Sequence, residues 1–172
     1  MKIRILPSLL IIFFFLIFII FYKGLKNTNS YTPVTNSKKL IPNFSANLFK
    51  NEKMISSNEI FKDDKFYLLN IWSSWCVPCR EEHIYLIELG KKKNLDIIGL
   101  NYKDKKKNAK KFLLDLNNPY NIIILDKNGT LAIEWGAFGV PETFLIHKKK
   151  ILKKIVGPLN ERSVLEIKKI IK

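Results

Sequence analysis

Residues 66–83 read FYLLNIWSSWCVPCREEH and contain both cysteines of the chain, Cys76 and Cys79. The first seven residues of this stretch carry no charge and are short, apolar and partly aromatic, which predicts a buried strand. The cysteines follow that strand almost directly and are separated by only two residues. The stretch therefore predicts a strand leading into a turn that presents two thiols close together.

A helix is predicted to begin at Cys76 and to continue to about Lys93, with Ile84 and Ile87, and Leu86 as a further candidate, on its apolar face. Downstream, strands and helices alternate and end in a hairpin and a last helix. The predicted elements are a strand at 95–102, a helix at 104–116 opened by Asp104, a strand at 121–126, a hairpin within 135–157 and a helix capped by Asn160. This order predicts an α/β fold with one sheet and helices on both faces.

The composition predicts one globular unit. The chain has 172 residues, of which 47% are hydrophobic, and this is enough to build a core. The formal net charge of +15 comes from lysines scattered among Ile, Asn and Phe, without a basic stripe interleaved with aromatic residues. We therefore expect a monomer that does not bind nucleic acid.

The N-terminal segment predicts a membrane anchor. Residues 5–22 carry no charge, and a helix of this length nearly spans a hydrocarbon core. We expect it to be retained as a transmembrane helix, because its apolar run is longer than that of a signal peptide and no small-residue cleavage site follows. Residues 1–4 are then cytoplasmic, 23–39 form a flexible linker, and 40–172 form the globular domain.

We interpret the two cysteines as a redox pair, because the sequence fits the alternatives less well. A structural zinc site needs four ligands, and only His83 and His147 are available besides the cysteines. A purely structural disulfide across so small a loop contributes little chain entropy. At a helix N-terminus, Cys76 is favoured as a thiolate and so as the nucleophile, and Cys79 is the resolving thiol one turn later.

The direction of electron flow follows from the residues between the cysteines. Val77 and Pro78 offer no cationic support for a thiolate, and a strongly oxidising pair needs a strongly depressed thiol pKa. Pro78 suits the first turn of a helix, where a missing N–H costs nothing. We therefore expect a protein-disulfide reductase.

The motifs taken together resemble a known family. The stretches YLLNIWSS, WCVPC and GVPETFLI are similar to those of the thioredoxin fold, a mixed sheet with helices on both faces. More narrowly, CREEH, GLNYKD, NPY and FGVPETFLI, with the N-terminal anchor, resemble the DsbE (CcmG) thiol:disulfide interchange proteins of cytochrome c maturation. The resemblance covers residues 40–172.

This resemblance implies a single-pass protein of the bacterial inner membrane, with its catalytic domain in the periplasm. Its implied clients are apocytochrome c and the cytochrome c maturation proteins, whose disulfides it reduces. A transmembrane thiol reductant is the implied electron donor. No cofactor and no metal are needed for this chemistry.

The resemblance also assigns roles to individual positions. It places the attacking thiol at Cys76, the resolving thiol at Cys79 and a cis-proline at Pro141. Thioredoxin has a buried Asp where this chain has Asn70, which cannot accept a proton. Glu82, on the helix face of Cys79, can fill that role, and a solvated surface glutamate is the alternative.

Three further residues are predicted to bind substrate. Trp75 adjoins the nucleophile and either packs around the turn, contacts the client or does both. The backbone of Val140 is expected to pair with an extended client beside Cys76. Glu142 either touches the client or holds the loop that follows the proline.

Other functions remain as alternatives. One is a general periplasmic reductase of the TlpA type that serves clients other than cytochrome c. Another is a copper carrier, although carriers of that class usually separate their cysteines by three residues. Peroxidase activity is less consistent still with a two-residue spacing.

Overall fold

The computed structural model describes residues 5–26 and 39–172, and the chain divides into two units, residues 1–36 and 37–172. In the first unit, helix α1 runs from Ile5 to Lys26, four residues beyond the predicted anchor at 5–22. Within the described parts of the chain, no helix has both the length and the apolar character required to cross a membrane. The predicted cytoplasmic residues 1–4 and most of the predicted linker lie outside the described residues.

The second unit is built on a mixed seven-stranded sheet in the order β2-β1-β5-β4-β3-β6-β7. Strands β3, β4 and β5 are parallel to one another, whereas the neighbouring pairs β2–β1, β1–β5, β3–β6 and β6–β7 are antiparallel. The strands are β1 (Ser45–Leu48), β2 (Met54–Ser56), β3 (Phe66–Trp72), β4 (Leu95–Tyr102), β5 (Ile122–Asp126), β6 (Glu142–His147) and β7 (Lys150–Val156). The predicted strands at 66–72 and 95–102 and the predicted hairpin are confirmed.

Helices cover both faces of this sheet. They are α2 (Ser57–Ile60), α3 (Val77–Leu89), α4 (Lys106–Leu116), α5 (Thr130–Glu134) and α6 (Glu161–Ile170). Successive side chains of a strand point to opposite faces, so the core divides into two clusters. One contains residues of α3, α4 and α6, and the other contains residues of α5 and the end of α2. The predicted α/β architecture is confirmed.

The predicted apolar face of α3 is confirmed at Leu86, which is buried, and is wrong at Ile84, which is 70% exposed. Ile87 is half-buried, and the buried stripe also includes Cys79, Glu82 and His83. Polar residues occupy this stripe because tertiary partners satisfy them, so the apolar pattern alone misplaced Ile84. The helix begins at Val77, with Cys76 as its N-cap.

The two predicted caps have different outcomes. Asn160 caps α6 and accepts a hydrogen bond from the Ser163 N–H, as predicted. Asp104 does not cap α4, because Lys105 occupies the N-cap position without a side-chain hydrogen bond. The Asp104 carboxylate instead accepts hydrogen bonds from Ser74, 30 residues earlier in the chain.

Candidate active site

The two cysteines form a disulfide at the N-terminus of α3, with their Cα atoms 5.3 Å apart. The Cys76 sulfur accepts a hydrogen bond from the Cys79 N–H at 3.1 Å. Because the first N–H groups of a helix have no partners within it, this position stabilises negative charge on the Cys76 sulfur. Both cysteines are buried, Cys76 at 5% exposed and Cys79 at 1% exposed.

A loop ending in a cis-proline lies against the cluster that contains both cysteines. The Val140–Pro141 peptide bond is cis, as predicted. Half-buried Val140 packs against that cluster, and Pro141 is buried. The carbonyl of Pro141 accepts a hydrogen bond from the Gly157 N–H, which ties the loop to the end of β7. Residues 136–141 are called the cis-proline loop below.

Glu142 lies beneath the cis-proline loop and is 1% exposed. Its carboxylate accepts hydrogen bonds from the Phe138 N–H at 2.6 Å and forms an ion pair with Lys154 at 2.8 Å. The Lys154 ammonium also donates to the Gly136 carbonyl and lies 4.3 Å from the centre of the Phe138 ring. Of the two roles left open for Glu142, these contacts are those of a residue that holds the loop, and its burial argues against direct contact with a client.

Glu82 lies one turn after Cys79 and is fully buried. Its two carboxylate oxygens accept hydrogen bonds from Asn70 Nδ2 at 2.8 Å and from the Leu159 N–H at 2.7 Å. Burial raises the pKa of Glu82 to about 7, although both hydrogen bonds act to lower it. The alternative of a solvated helix glutamate is therefore excluded.

Asn70 connects Glu82 to two residues that the sequence analysis did not single out. Its Nδ2 also donates to Thr143 Oγ1 at 3.0 Å, and its Oδ1 accepts a hydrogen bond from the Tyr120 hydroxyl at 2.9 Å. Both new residues lie inside motifs already recognised, NPY and GVPETFLI, but only the folded chain brings them to the site. Asn70 cannot accept a proton, but its side chain supplies a hydrogen-bond donor to the buried Glu82 carboxyl group.

The turn before Cys76 is held by the loop that follows β4. Asp104 accepts hydrogen bonds from the Ser74 N–H at 2.6 Å and from the Ser74 hydroxyl at 2.7 Å. The Trp75 indole donates to the Lys103 carbonyl at 3.1 Å, yet the side chain is 57% exposed. Trp75 is thus anchored to its own chain and still exposed. Val77, between the two cysteines, and Phe138, in the cis-proline loop, are further exposed apolar residues.

Both histidines have partners of their own. His83 Nε2 lies 2.7 Å from the Asn117 carbonyl oxygen, and His147 Nε2 lies 3.1 Å from an Asp64 carboxylate oxygen. Within the described ranges 5–26 and 39–172, no group of three or more His, Cys, Asp or Glu side chains is placed to hold a metal ion. What the site offers chemically is therefore a dithiol–disulfide couple beside a buried carboxyl group.

A mixed sheet with a Cys-x-x-Cys disulfide at the start of the helix after a central strand, opposite a cis-proline, defines the class of thioredoxin-fold thiol–disulfide oxidoreductases. Comparison with solved structures agrees on the fold. A thioredoxin-family thiol:disulfide interchange protein from Chlorobium tepidum TLS superposes with a TM-score of 0.64 at 22% identity, over 78% of this chain and 97% of that one.

The chain belongs to the Redoxin family, whose pattern matches residues 36–171. It is 33% identical over 167 residues to the thiol:disulfide interchange protein DsbE of Escherichia coli K12, and the aligned region covers 94% of this chain and 90% of that protein. It is 48% identical over 103 residues to CycY of Rhizobium leguminosarum bv. viciae, which covers 59% of this chain and 55% of that protein. The match to CycY thus spans only about half of that relative's length.

Proposed function

We propose that this protein is a membrane-tethered periplasmic reductase that delivers electrons from Cys76 and Cys79 to a disulfide in apocytochrome c or in one of its maturation partners. The observation that carries the proposal is the Cys76–Cys79 disulfide at the N-terminus of α3, together with Val140 of the cis-proline loop, which packs against the core cluster that contains both cysteines. The similarity to thiol:disulfide interchange proteins supports the same chemistry.

The exchange proceeds in two balanced steps. In the reduced protein the Cys76 thiolate attacks one sulfur of the client disulfide, which forms a mixed disulfide and releases the first client thiolate. The Cys79 thiolate then attacks the Cys76 sulfur, which forms the intramolecular disulfide and releases the second client thiolate. Two electrons pass to the client, and a transmembrane thiol reductant returns two electrons to the cysteine pair.

Glu82 is proposed to take the proton that Cys79 must lose before the second step. It follows Cys79 by one turn on the buried face of α3, and its pKa of about 7 lies close to the working pH of the periplasm. A carboxyl group with such a pKa can accept a proton during exchange and release it afterwards. At position 70, where thioredoxin carries its acid, Asn70 donates a hydrogen bond instead.

The client is proposed to lie in extended form across the cis-proline loop. The backbone of Val140 can pair with it there, and the exposed face of Trp75 offers an apolar contact beside Cys76. Glu142 contributes indirectly, because its carboxylate and Lys154 hold this loop in place.

Residues 5–22 are proposed to anchor the protein in the inner membrane, with residues 1–4 in the cytoplasm. Two observations support the anchor. The segment carries no charge, and the described part of α1 exposes large apolar side chains. Residues 23–39 are proposed to link this anchor to the catalytic domain.

The proposal is tested by trapping the mixed disulfide. The full-length Cys79→Ala variant is expected to accumulate covalent adducts in its native membrane, because Cys76 can attack but no second thiol resolves the product. The Cys76→Ala variant is the matched control and should form none. Adducts are separated on non-reducing gels and identified by mass spectrometry. Apocytochrome c or a maturation protein is the expected client, and a set of unrelated envelope proteins instead would favour a general reductase of the TlpA type.

A further inference from the structure

The orientation of the Asn70 side-chain amide decides which kind of atom faces Glu82. An amide can be turned over with almost no change of shape, which exchanges its N–H donors and its carbonyl acceptor. With the NH₂ group toward Glu82, as in this structure, the amide stabilises the ionised carboxylate. With the carbonyl toward Glu82, the same side chain would favour the protonated carboxyl group.

Two of the three partners of Asn70 accept either orientation. The Thr143 hydroxyl can donate or accept a hydrogen bond, and the Glu82 carboxyl group can do the same once it is protonated. The third partner, Tyr120, favours one orientation, because its hydroxyl donates to Asn70 Oδ1 at 2.9 Å. If the amide turned over, this hydroxyl could pair with the NH₂ group only as an acceptor, and its own proton would have to turn away from the acceptor that it has in this structure. Burial and the neighbouring Glu82 raise the pKa of the Tyr120 phenol well above its usual value, so the proton it donates is present throughout the working range of pH.

The Tyr120 ring is itself held in one place. It stacks on the Trp72 indole, with ring centres 5.3 Å apart and planes 15° apart. The strand residue below it is Gly99, where an added Cβ would lie 2.8 Å from Trp72 Nε1 and 2.9 Å from the Tyr120 ring. The absence of a side chain at Gly99 therefore makes room for the stack that aims the Tyr120 hydroxyl at Asn70.

We propose that Tyr120 is a positioning residue that holds the Asn70 amide with its N–H toward Glu82, and so keeps a hydrogen-bond donor on the carboxyl group that exchanges a proton with Cys79. The inference rests on the proposed function of Glu82. The effect of Tyr120 on the thiols passes through the Asn70 amide and the Glu82 carboxyl group.

A pH dependence of the exchange rate could also come from other titratable groups around Glu82. They are Cys79 and His83 on its own helix, Asn70 from β3, Thr143 from β6, the Leu159 N–H from the segment before α6, and Tyr120 from the segment before β5. Burial lowers the pKa of His83, so this ring stays neutral near pH 7. At and above pH 7, the remaining titratable side chains next to Glu82 are therefore the thiols of the reduced protein, since Tyr120 keeps its proton.

The test compares pH profiles of exchange for the full-length protein in a nonionic detergent. The rate at which the reduced protein cleaves a disulfide-containing peptide is measured from pH 5 to 9 for the wild type and for Tyr120→Phe. Without the Tyr120 hydroxyl, the Asn70 amide should form a weaker hydrogen bond to the Glu82 carboxylate. The part of the pH–rate profile that reports the ionisation of Glu82, called the Glu82 limb, should therefore move up by about one pH unit, equivalent to about 1.4 kcal/mol. Tyr67→Phe is the control, because it removes a hydroxyl that accepts a hydrogen bond from the Asp63 N–H instead.

A second pair of variants separates this inference from the function on which it rests. Glu82→Gln should abolish the limb, and Tyr120→Phe added to Glu82→Gln should change nothing further. If Glu82→Gln leaves the profile intact, the proposed function of Glu82 fails. If Glu82→Gln removes the limb while Tyr120→Phe alone leaves it in place, only the role of Tyr120 is overturned.

A measurement on the wild-type protein covers the case in which Tyr120→Phe does not fold. Nuclear Overhauser contacts of the Asn70 NH₂ protons are recorded in the full-length chain. The expected contacts are to the methyl group of Thr143, with none to the Tyr120 ring edge next to its hydroxyl. An NH₂ group that faces Tyr120 would overturn the proposal directly.

Discussion

Ionisation of the buried Glu82 should make the folded protein less stable as the pH rises. Its pKa is raised from the usual 4.5 to about 7, mainly by burial. At about 1.4 kcal/mol for each pH unit, this corresponds to about 3 kcal/mol of stability. The unfolded chain releases this proton near pH 4.5 and the folded chain only near pH 7, so the contribution is fully present below pH 4.5 and is lost progressively up to about pH 7.

Glu82→Gln removes this titration while it keeps the size of the side chain. Urea unfolding of the oxidised full-length protein in a nonionic detergent, followed by tryptophan fluorescence at several values between pH 4.5 and 9, gives the free energy of unfolding. The difference between variant and wild type should change by about 3 kcal/mol in favour of the variant across this range. A constant offset is expected as well, because a glutamine offers one acceptor where Glu82 offers two.

The reasoning is refuted if the difference between the two proteins does not vary with pH. Such a result would mean that Glu82 ionises in the folded protein near its ordinary pKa despite its burial. Glu81→Gln is the matched control, since it changes the neighbouring carboxyl group, which is exposed on the same helix. Its free energy of unfolding is measured at the same pH values and compared with that of Glu82→Gln.

Three further substitutions test the contacts that position the site. Lys154→Met breaks the ion pair between Lys154 and Glu142 beneath the cis-proline loop. It should lower the free energy of unfolding by about 3 kcal/mol and raise KM for a peptide disulfide. An unchanged KM would argue against a positioning role for this ion pair. Asp104→Asn leaves one acceptor oxygen for the two donors of Ser74 and should destabilise the protein by about 1 to 3 kcal/mol in urea unfolding, whereas no loss would show that this contact is dispensable. Gly99→Ala pushes against Tyr120 and should cost about 1 to 3 kcal/mol in thermal unfolding, and an unchanged Tm would contradict the close packing seen there.

The elements that the sequence predicted are those whose signals are local. Residues 66–72 and 95–102 are mainly apolar stretches, and both form central strands with the predicted bounds. Asn160 caps the last helix through a contact only three residues away. The position of Cys76 at a helix start could likewise be predicted, because a strand, two closely spaced cysteines and a proline follow one another directly in the chain.

The environment of the site was decided by contacts between residues far apart in the sequence. Glu82 is buried because Asn70 from a strand 12 residues earlier and the N–H of Leu159, 77 residues later, both donate to its carboxylate. The same applies to Asp104, whose partner Ser74 precedes it by 30 residues. A pattern of apolar residues carries no record of such partners, so it placed Ile84 inside and left Glu82 open to two readings. The fold class and the redox pair could therefore be predicted from the sequence. The environment of the buried Glu82 carboxyl group next to that pair could not, because the tertiary structure brings its hydrogen-bond donors from distant parts of the chain.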